Sequence, residues 1–314
     1  MIITVWNVRG LNDPSKVADV RQLLNRTKSN LICLLETKVK QHKSTGLQRK
    51  IGYGLNWVCN YSCSGKGRIW LGWMSDKLRV EVITIHTQFI HCCISNIDYS
   101  RQFYVTFVYG LHSIQDRKGF WSSIEAIGPA VLPWLCTGDF NSVLQHQDRI
   151  NGNDVTDYEI RDFRNFVDSM NFVEIKSKGS YYSWSNKAHV GSRTLTRIDR
   201  GLVNFEWLLH YPTVEAHYLA PSLTDHSPLM YEVFPAPPSK GRPFRFFNCL
   251  ISHPDFLGLV LECWSGGVPG NAMSRVWNKL RNLKTQLKTL NKHSFSNVDQ
   301  RVCDAQLALL DVQD

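Results

Sequence analysis

No two aspartates are adjacent anywhere in this 314-residue chain. The Tyr-x-Asp-Asp motif of polymerases is therefore absent, which excludes reverse transcription by this chain. A zinc-type cysteine arrangement is missing too: Cys59 and Cys63 have no second Cys or His pair to complete a tetrahedral set. The nine cysteines are odd in number, Cys92 and Cys93 are adjacent, and Cys33 and Cys136 lie in apolar runs. That pattern predicts buried, reduced thiols of an intracellular protein and not a disulfide framework. No basic segment followed by an apolar stretch opens the chain, so no signal peptide is expected. Nor does any apolar run reach the length of about eighteen residues that a membrane span needs. Acidic residues are in deficit, 27 against 36 Lys and Arg, and the net charge of +9 favours an acidic partner, nucleic acid first. Hydrophobic residues at 43% and aromatics at 11% are enough for a packed core and exclude a disordered chain.

Along the chain, residues 1–8 alternate like a strand, and Asp13-Pro14 reads as a helix N-cap and first position. Val17, Val20 and Leu24 give that helix an apolar stripe. Residues 31–35 predict a buried strand, and several β-rich runs follow from 68 to 109. Helices are expected at 114–127 and 157–170, with shorter strands near 172–175, 181–185, 196–203, 214–219 and 229–234. Mixed strands with few helices predict two packed sheets with helices outside. The Pro-rich segment 235–243 marks a boundary, giving domains at 1–234 and 235–314. Beyond it, Val276, Leu280, Leu283, Leu287 and Leu290 form a narrow seam on an otherwise basic helix. Residues 297–311 read as a second helix. The two predict a hairpin packed on itself or on a helical partner for residues 272–311; nucleic-acid binding by the basic face is a further option.

The polar residues are distributed unevenly. Asn7, Glu36, Tyr109, Asp139, Asn141, Asp199 and Asp225-His226 all border apolar, strand-like runs. Strands of one fold would deliver such side chains to a common edge. Phosphodiester cleavage needs an activated water, charge on the phosphoryl oxygens and help for the leaving oxygen. Glu36 is a hard-oxygen ligand suited to Mg²⁺. Asp139 and Asn141 are two apart; in an extended segment they would point the same way, one activating a water and one orienting it. Asp199 is placed to hold the His226 imidazole in one tautomer, and Tyr109 adds a donor for a phosphate oxygen.

In order and wording these segments resemble the endonuclease/exonuclease/phosphatase superfamily, which includes deoxyribonuclease I and abasic-site endonucleases. The resemblance spans roughly residues 1–234. It rests on Trp6-Asn7-Val8-Arg9-Gly10-Leu11, Leu35-Glu36-Thr37, Val108-Tyr109-Gly110, Gly138-Asp139-Phe140-Asn141, Tyr182-Ser183-Trp184, Arg197-Ile198-Asp199-Arg200 and Thr224-Asp225-His226-Ser227-Pro228. The wording Asn-Val-Arg-Gly-Leu-Asn, Glu-Thr-Lys and Phe244-Arg-Phe-Phe-Asn248 is similar to plant-type non-LTR (LINE) retrotransposon endonucleases. In that family the domain precedes a reverse transcriptase and nicks DNA to prime it.

The resemblance implies a four-layer α/β sandwich, two packed β-sheets flanked by helices, with a C-terminal helical extension. It implies a DNA nickase using Mg²⁺, with Mn²⁺ as a substitute and no small-molecule cofactor. Glu36, Asn7 and Asp225 would hold the metal. Asp139 and Asn141 would activate and orient water, and His226, oriented by Asp199, would contact the scissile phosphate with Tyr109. Arg9, His112, Trp184, Lys187, Arg193 and Arg197 would bind DNA, the hairpin tip 185–194 setting target choice. Two positions depart from the family: Arg9 stands where repair enzymes carry an acid, and His112 where many members have Asn. The expected location is intracellular, in the nucleus. Alternatives are a superfamily phosphatase or exonuclease, and a non-catalytic DNA-binding remnant.

Overall fold

The structure is a computed structural model that describes residues 1–128, 131–189, 192–234, 246, 248–267 and 269–295. In chain order its first half contains β1 (Ile2–Asn7), α1 (Pro14–Thr27), β2 (Leu31–Leu35), α2 (Gln41–Ile51), β3 (Leu55–Cys59), β4 (Ile69–Met74), β5 (Leu78–Ile85), β6 (Phe89–Asn96), β7 (Gln102–Tyr109), α3 (Ile114–Glu125) and β8 (Trp134–Asp139). Then come β9 (Arg149–Ile150), α4 (Asp157–Ser169), β10 (Val173–Glu174), β11 (Ser177–Gly179), β12 (Trp184–Ser185), β13 (Leu195–Thr196), β14 (Asp199–Val203), α5 (Phe205–His210), β15 (Ala216–Tyr218), β16 (Leu229–Glu232), α6 (Phe256–Ser265) and α7 (Ala272–Phe295). The chain divides into two compact units, Met1–Ala236 and Pro237–Asp314.

The first unit holds two large mixed sheets. One has seven strands in the order β11-β15-β16-β1-β2-β4-β3; the other has six, β10-β14-β8-β7-β6-β5. Ile3, Val5, Leu31, Cys33 and Leu71 of the first sheet and Ile90, Val105, Phe107 and Leu135 of the second form one core between them. Each such side chain contributes roughly 1.5–3 kcal/mol by leaving water. The opposite faces are covered by helices. Trp6, Ile32 and Leu34 pack with Val17, Val20 and Leu23 of α1. Val108, Cys136 and Leu202 pack with Phe120 and Trp121 of α3 and Phe163 and Phe166 of α4. The result is the α/β sandwich expected, with helices outside both sheets. On α1 the buried stripe uses Leu23, with Leu24 half-buried, one position from the expected residue.

The start of α1 follows its sequence signal. Asp13 caps α1 by accepting from the Ser15 N–H at 2.9 Å, with Pro14 at the first position. Thr156 and Glu159 form a reciprocal capping box on α4. The expected strand 196–203 is in fact two. β13 pairs with β12 and β9 in a small third sheet, whereas β14 joins the six-stranded sheet. The break is held by Ser183, whose hydroxyl oxygen accepts the N–H groups of both Ile198 and Asp199.

In the second unit, α6 and α7 are described, and Leu283, Leu287 and Leu290 pack with Leu250, Phe256 and Leu259. The seam expected on the basic helix is therefore half used: Val276 and Leu280 are exposed. The second helix expected at 297–311 and the Pro-rich boundary 235–243 lie outside the described residues. No described helix is long and apolar enough to cross a membrane.

Candidate active site

Parallel pairing of β1 with β2 sets Asn7 opposite Leu35, so both chains leave the sheet at one edge. Beyond it the two loops are zipped together by Gly10 N–H to Glu36 O (2.8 Å) and Leu11 N–H to Thr37 O (2.9 Å). In the second sheet Tyr109 of β7 lies opposite Asp139 of β8. β14 runs antiparallel to β8 with Asp199 opposite Asp139. Asp199 therefore opens its strand and does not end one, yet reaches the same edge because the direction is reversed. β16 is antiparallel to β1, so Asp225-His226 enters where β1 leaves. Trp6, buried under the edge, fixes that entry: its indole N–H donates to Thr224 Oγ1 (3.0 Å) and His226 O (3.1 Å). Neither Trp6 nor Ser183 has a role legible in the sequence, since a buried indole and a serine carry no chemical signature of positioning.

Asp139 is fully buried at the centre. Its Oδ2 accepts from Asn7 Nδ2 at 2.8 Å and from Asn141 Nδ2 at 3.3 Å, and its Oδ1 from the Asn141 N–H at 2.9 Å. His226 Nε2 stands 4.0 Å from Asp139 Oδ2, and His226 Nδ1 is 2.9 Å from Asp199 Oδ2. Ligand atoms of Asp139, Asp199 and His226 lie within 4.8 Å of one another, close enough to hold a metal ion. Burial, reinforced by the Asp199 charge, raises the Asp139 carboxyl to about 7, against the pull of His226 and Asn7. Burial would lower the His226 imidazole, but Asp199, Asp139 and Asp225 raise it to about 9. Between those two values an ionised Asp139 carboxylate faces a His226 imidazolium.

The segment after Asp139 is not extended. Asn141 is left-handed, φ +48°, which lets its carboxamide donate to Gly110 O at 2.7 Å. Asp139 and Asn141 therefore meet through this turn, not through strand alternation. Gly138 precedes them at φ +141°, and a Cβ there would stand 2.1 Å from Val108 O. Tyr109 is buried, and its phenol is raised above its ordinary value by burial and by Glu36 and Asp139, so it stays a donor.

On the other side of Asn7, Glu36 is 3% exposed and carries an ion pair to Lys38. Burial works to raise it, but Lys38, Asn7 and Arg9 hold it below its ordinary value. Asp225 pairs with Arg9 and accepts from Trp184 Nε1 at 2.9 Å. Its Oδ1 is buried with no hydrogen-bond partner among the described residues. A buried carboxylate oxygen left without a partner suits a hard divalent cation, and Arg9 links Asp225 to Glu36.

The expected DNA-binding residues are less concentrated. Arg9 lies at the site, and Trp184 borders it through Asp225. His112 is exposed in the loop that precedes α3. Lys187 and Arg193 are exposed in the β12–β13 hairpin, of which residues 190–191 lie outside the described set. Arg197 departs from expectation. It is 3% exposed, paired with Glu174, bonded to Tyr181 O, and stacked against the rings of Tyr181 and Tyr218. Its donors are committed inside the fold, so it offers none to DNA.

The profile of the family described as Endonuclease/Exonuclease/phosphatase matches residues 4–226. No curated protein matches the chain. Among solved structures, the endonuclease domain of TRAS1, a telomere-specific non-LTR retrotransposon, aligns at 11% identity and TM-score 0.55, covering 74% of this chain and 97% of its own. The AP endonuclease LMAP from Leishmania major aligns at 16% and 0.56, covering 73% and 86%. The 3′ phosphatase NExo from Neisseria, bound to a product DNA hairpin, aligns at 18% and 0.54, covering 74% and 99%. At these identities the likeness is one of fold.

Proposed function

The chain belongs to the Endonuclease/Exonuclease/phosphatase family, a family of phosphodiester hydrolases, and from that premise we propose that it is a divalent-metal-dependent DNA endonuclease that nicks duplex DNA. The observation that carries this reading is the buried Asp139–His226–Asp199 cluster, with His226 Nε2 4.0 Å from Asp139 Oδ2 at one strand edge. Asp139, raised to about 7, is the group to accept a proton from the attacking water, because a base works best when its pKa lies near the working pH. Asn7 and Asn141 hold that carboxylate and orient the water. His226, kept charged by Asp199, lends positive charge to a phosphoryl oxygen, and the Tyr109 hydroxyl donates to another. Glu36, Asn7 and Asp225 would hold the metal, Mg²⁺ or in its place Mn²⁺. Such an ion, when bound, neutralises charge on the phosphoryl and leaving oxygens.

DNA as substrate is supported by the net charge of +9 and by a fold shared with proteins solved as DNA complexes. A retrotransposon origin of the plant LINE type rests on the wording of the motifs around Asn7, Glu36 and Phe244. A nuclear site of action follows from that substrate. Purified protein should relax supercoiled plasmid with Mg²⁺ and leave it intact with EDTA. Metal-independent nicking, or none under either condition, overturns the proposal. Release of phosphate from a 3′-phosphorylated oligonucleotide without any nicking would favour the phosphatase reading instead.

A further inference from the structure

Three residues of the β1 and β2 edge loops adopt left-handed backbone although none is glycine: Arg9 at φ +44°, Glu36 at +55° and Lys38 at +54°. Strain of this kind persists only where the surroundings enforce it, and it gathers at functional places. Here it turns two cations onto one carboxylate. Arg9 Nε lies 3.9 Å from Glu36 Oε2 while its Nη1 pairs with Asp225, and Lys38 Nζ pairs with Glu36 Oε1. Arg9 is also held by its backbone. Its N–H donates to Asn7 Oδ1 at 3.0 Å, and its carbonyl accepts from Lys16 Nζ at 2.9 Å. The Arg9 side chain is 39% exposed, so the guanidinium has room to swing away.

We propose that Arg9 is a built-in counter-ion: it spans Glu36 and Asp225 in the metal-free protein, and a divalent cation entering there displaces it. This rests on the reading of Glu36 and Asp225 as metal-holding residues. Glu36 is buried and the Asp225 side chain is only 14% exposed, so without a nearby cation both would be costly to keep ionised. Arg9 relieves that cost before any metal arrives. The same positive charge then opposes the incoming ion, so metal affinity is set by competition with Arg9. Once released, the guanidinium is free to pair with a phosphate of the nucleic-acid backbone.

Mn²⁺ binding to the full chain, followed by electron paramagnetic resonance, tests this, together with thermal unfolding of the metal-free protein. Arg9→Met should bind Mn²⁺ on the order of tenfold more tightly than wild type, the size of one screened charge interaction. It should also melt lower without metal, with the deficit closing at saturating Mn²⁺. Arg9→Lys keeps the charge and stem but lacks the fork that reaches both acids; it should bind more tightly than wild type by a smaller factor, and it serves if Arg9→Met does not fold. Affinity at or below wild type in the folded variants overturns the inference. Glu36→Gln separates the two readings. Binding that depends on Glu36 but ignores Arg9 removes only the counter-ion, whereas binding indifferent to Glu36 removes the metal reading and the counter-ion with it.

Discussion

His226 and Asp139 set the pH behaviour of the site because each must be in one protonation state. Asp139 can take a proton only when ionised, above about 7, and His226 is charged only below about 9. Nicking should therefore follow a bell-shaped profile with limbs near those values. Asp139→Asn should remove the acid limb and lower nicking by roughly two to four orders of magnitude, with DNA affinity little changed because basic contacts elsewhere supply most of it. A near-wild-type rate would remove Asp139 from the chemistry. Stability carries the same signature. Both folded pKa values lie above the ordinary ones of 3.8 and 6.5, so the folded chain holds protons that the unfolded chain releases. The His226 contribution is complete below its ordinary value and is lost as pH rises through about 9; the Asp139 contribution is lost earlier, as pH rises through about 7. The thermal midpoint should fall from pH 6 to pH 9, and His226→Gln should flatten the upper part of that fall. A midpoint that rises over this window contradicts the charge assignment.

Elements place these residues through backbone pairing, and at Gly138 the neighbouring strand leaves no room for a side chain. A methyl group there would meet Val108 O at 2.1 Å and push β8 from β7, carrying Asp139 with it. Gly138→Ala should cost several kcal/mol, by clash and by its positive φ, and reduce nicking well beyond what unfolding explains. Nicking by the folded fraction at the wild-type rate would show that the edge tolerates the shift. The β12–β13 hairpin, with Lys187 and Arg193 exposed, is an element of a different kind. Replacing Lys187 to Arg193 with a short Gly-Ser turn should blur the nick pattern on a long duplex. Cleavage of a preferred short site should stay within roughly tenfold, since the loop reads groove shape and carries none of the proposed acid–base groups. An identical nick map would remove the hairpin from target choice.

At the scale of the molecule, every residue proposed for the chemistry lies before Pro235, and the family match ends at residue 226. A chain ending at Phe234 should therefore unfold cooperatively and nick plasmid at a comparable turnover. Its salt dependence should be shallower, because the removed part includes Arg275, Lys279, Arg281, Lys284 and Lys288 on α7. Insolubility of that shorter chain, or loss of its metal-dependent nicking, would show that the C-terminal unit completes the first.

Local signals wrote much of this protein directly. Asp13-Pro14 started α1, and the apolar runs ending at Asn7, Leu35, Tyr109 and Asp139 became the central strands. Such features depend on residues a few positions apart, so the sequence alone sufficed for them, and for the roster of polar residues at strand borders. Pairing across long separations decided the rest. Asp199 sits opposite Asp139 only because β14 runs antiparallel to β8, and the strand expected around it splits because Ser183 intervenes. Arg197, basic and next to the motif, was turned inward by Glu174 and two tyrosine rings from distant segments. Arg9, expected to bind DNA and standing where repair enzymes carry an acid, became the bridge between Glu36 and Asp225. A side chain's charge is written in its own residue, but the partner that fixes its direction, burial and protonation comes from elsewhere in the fold.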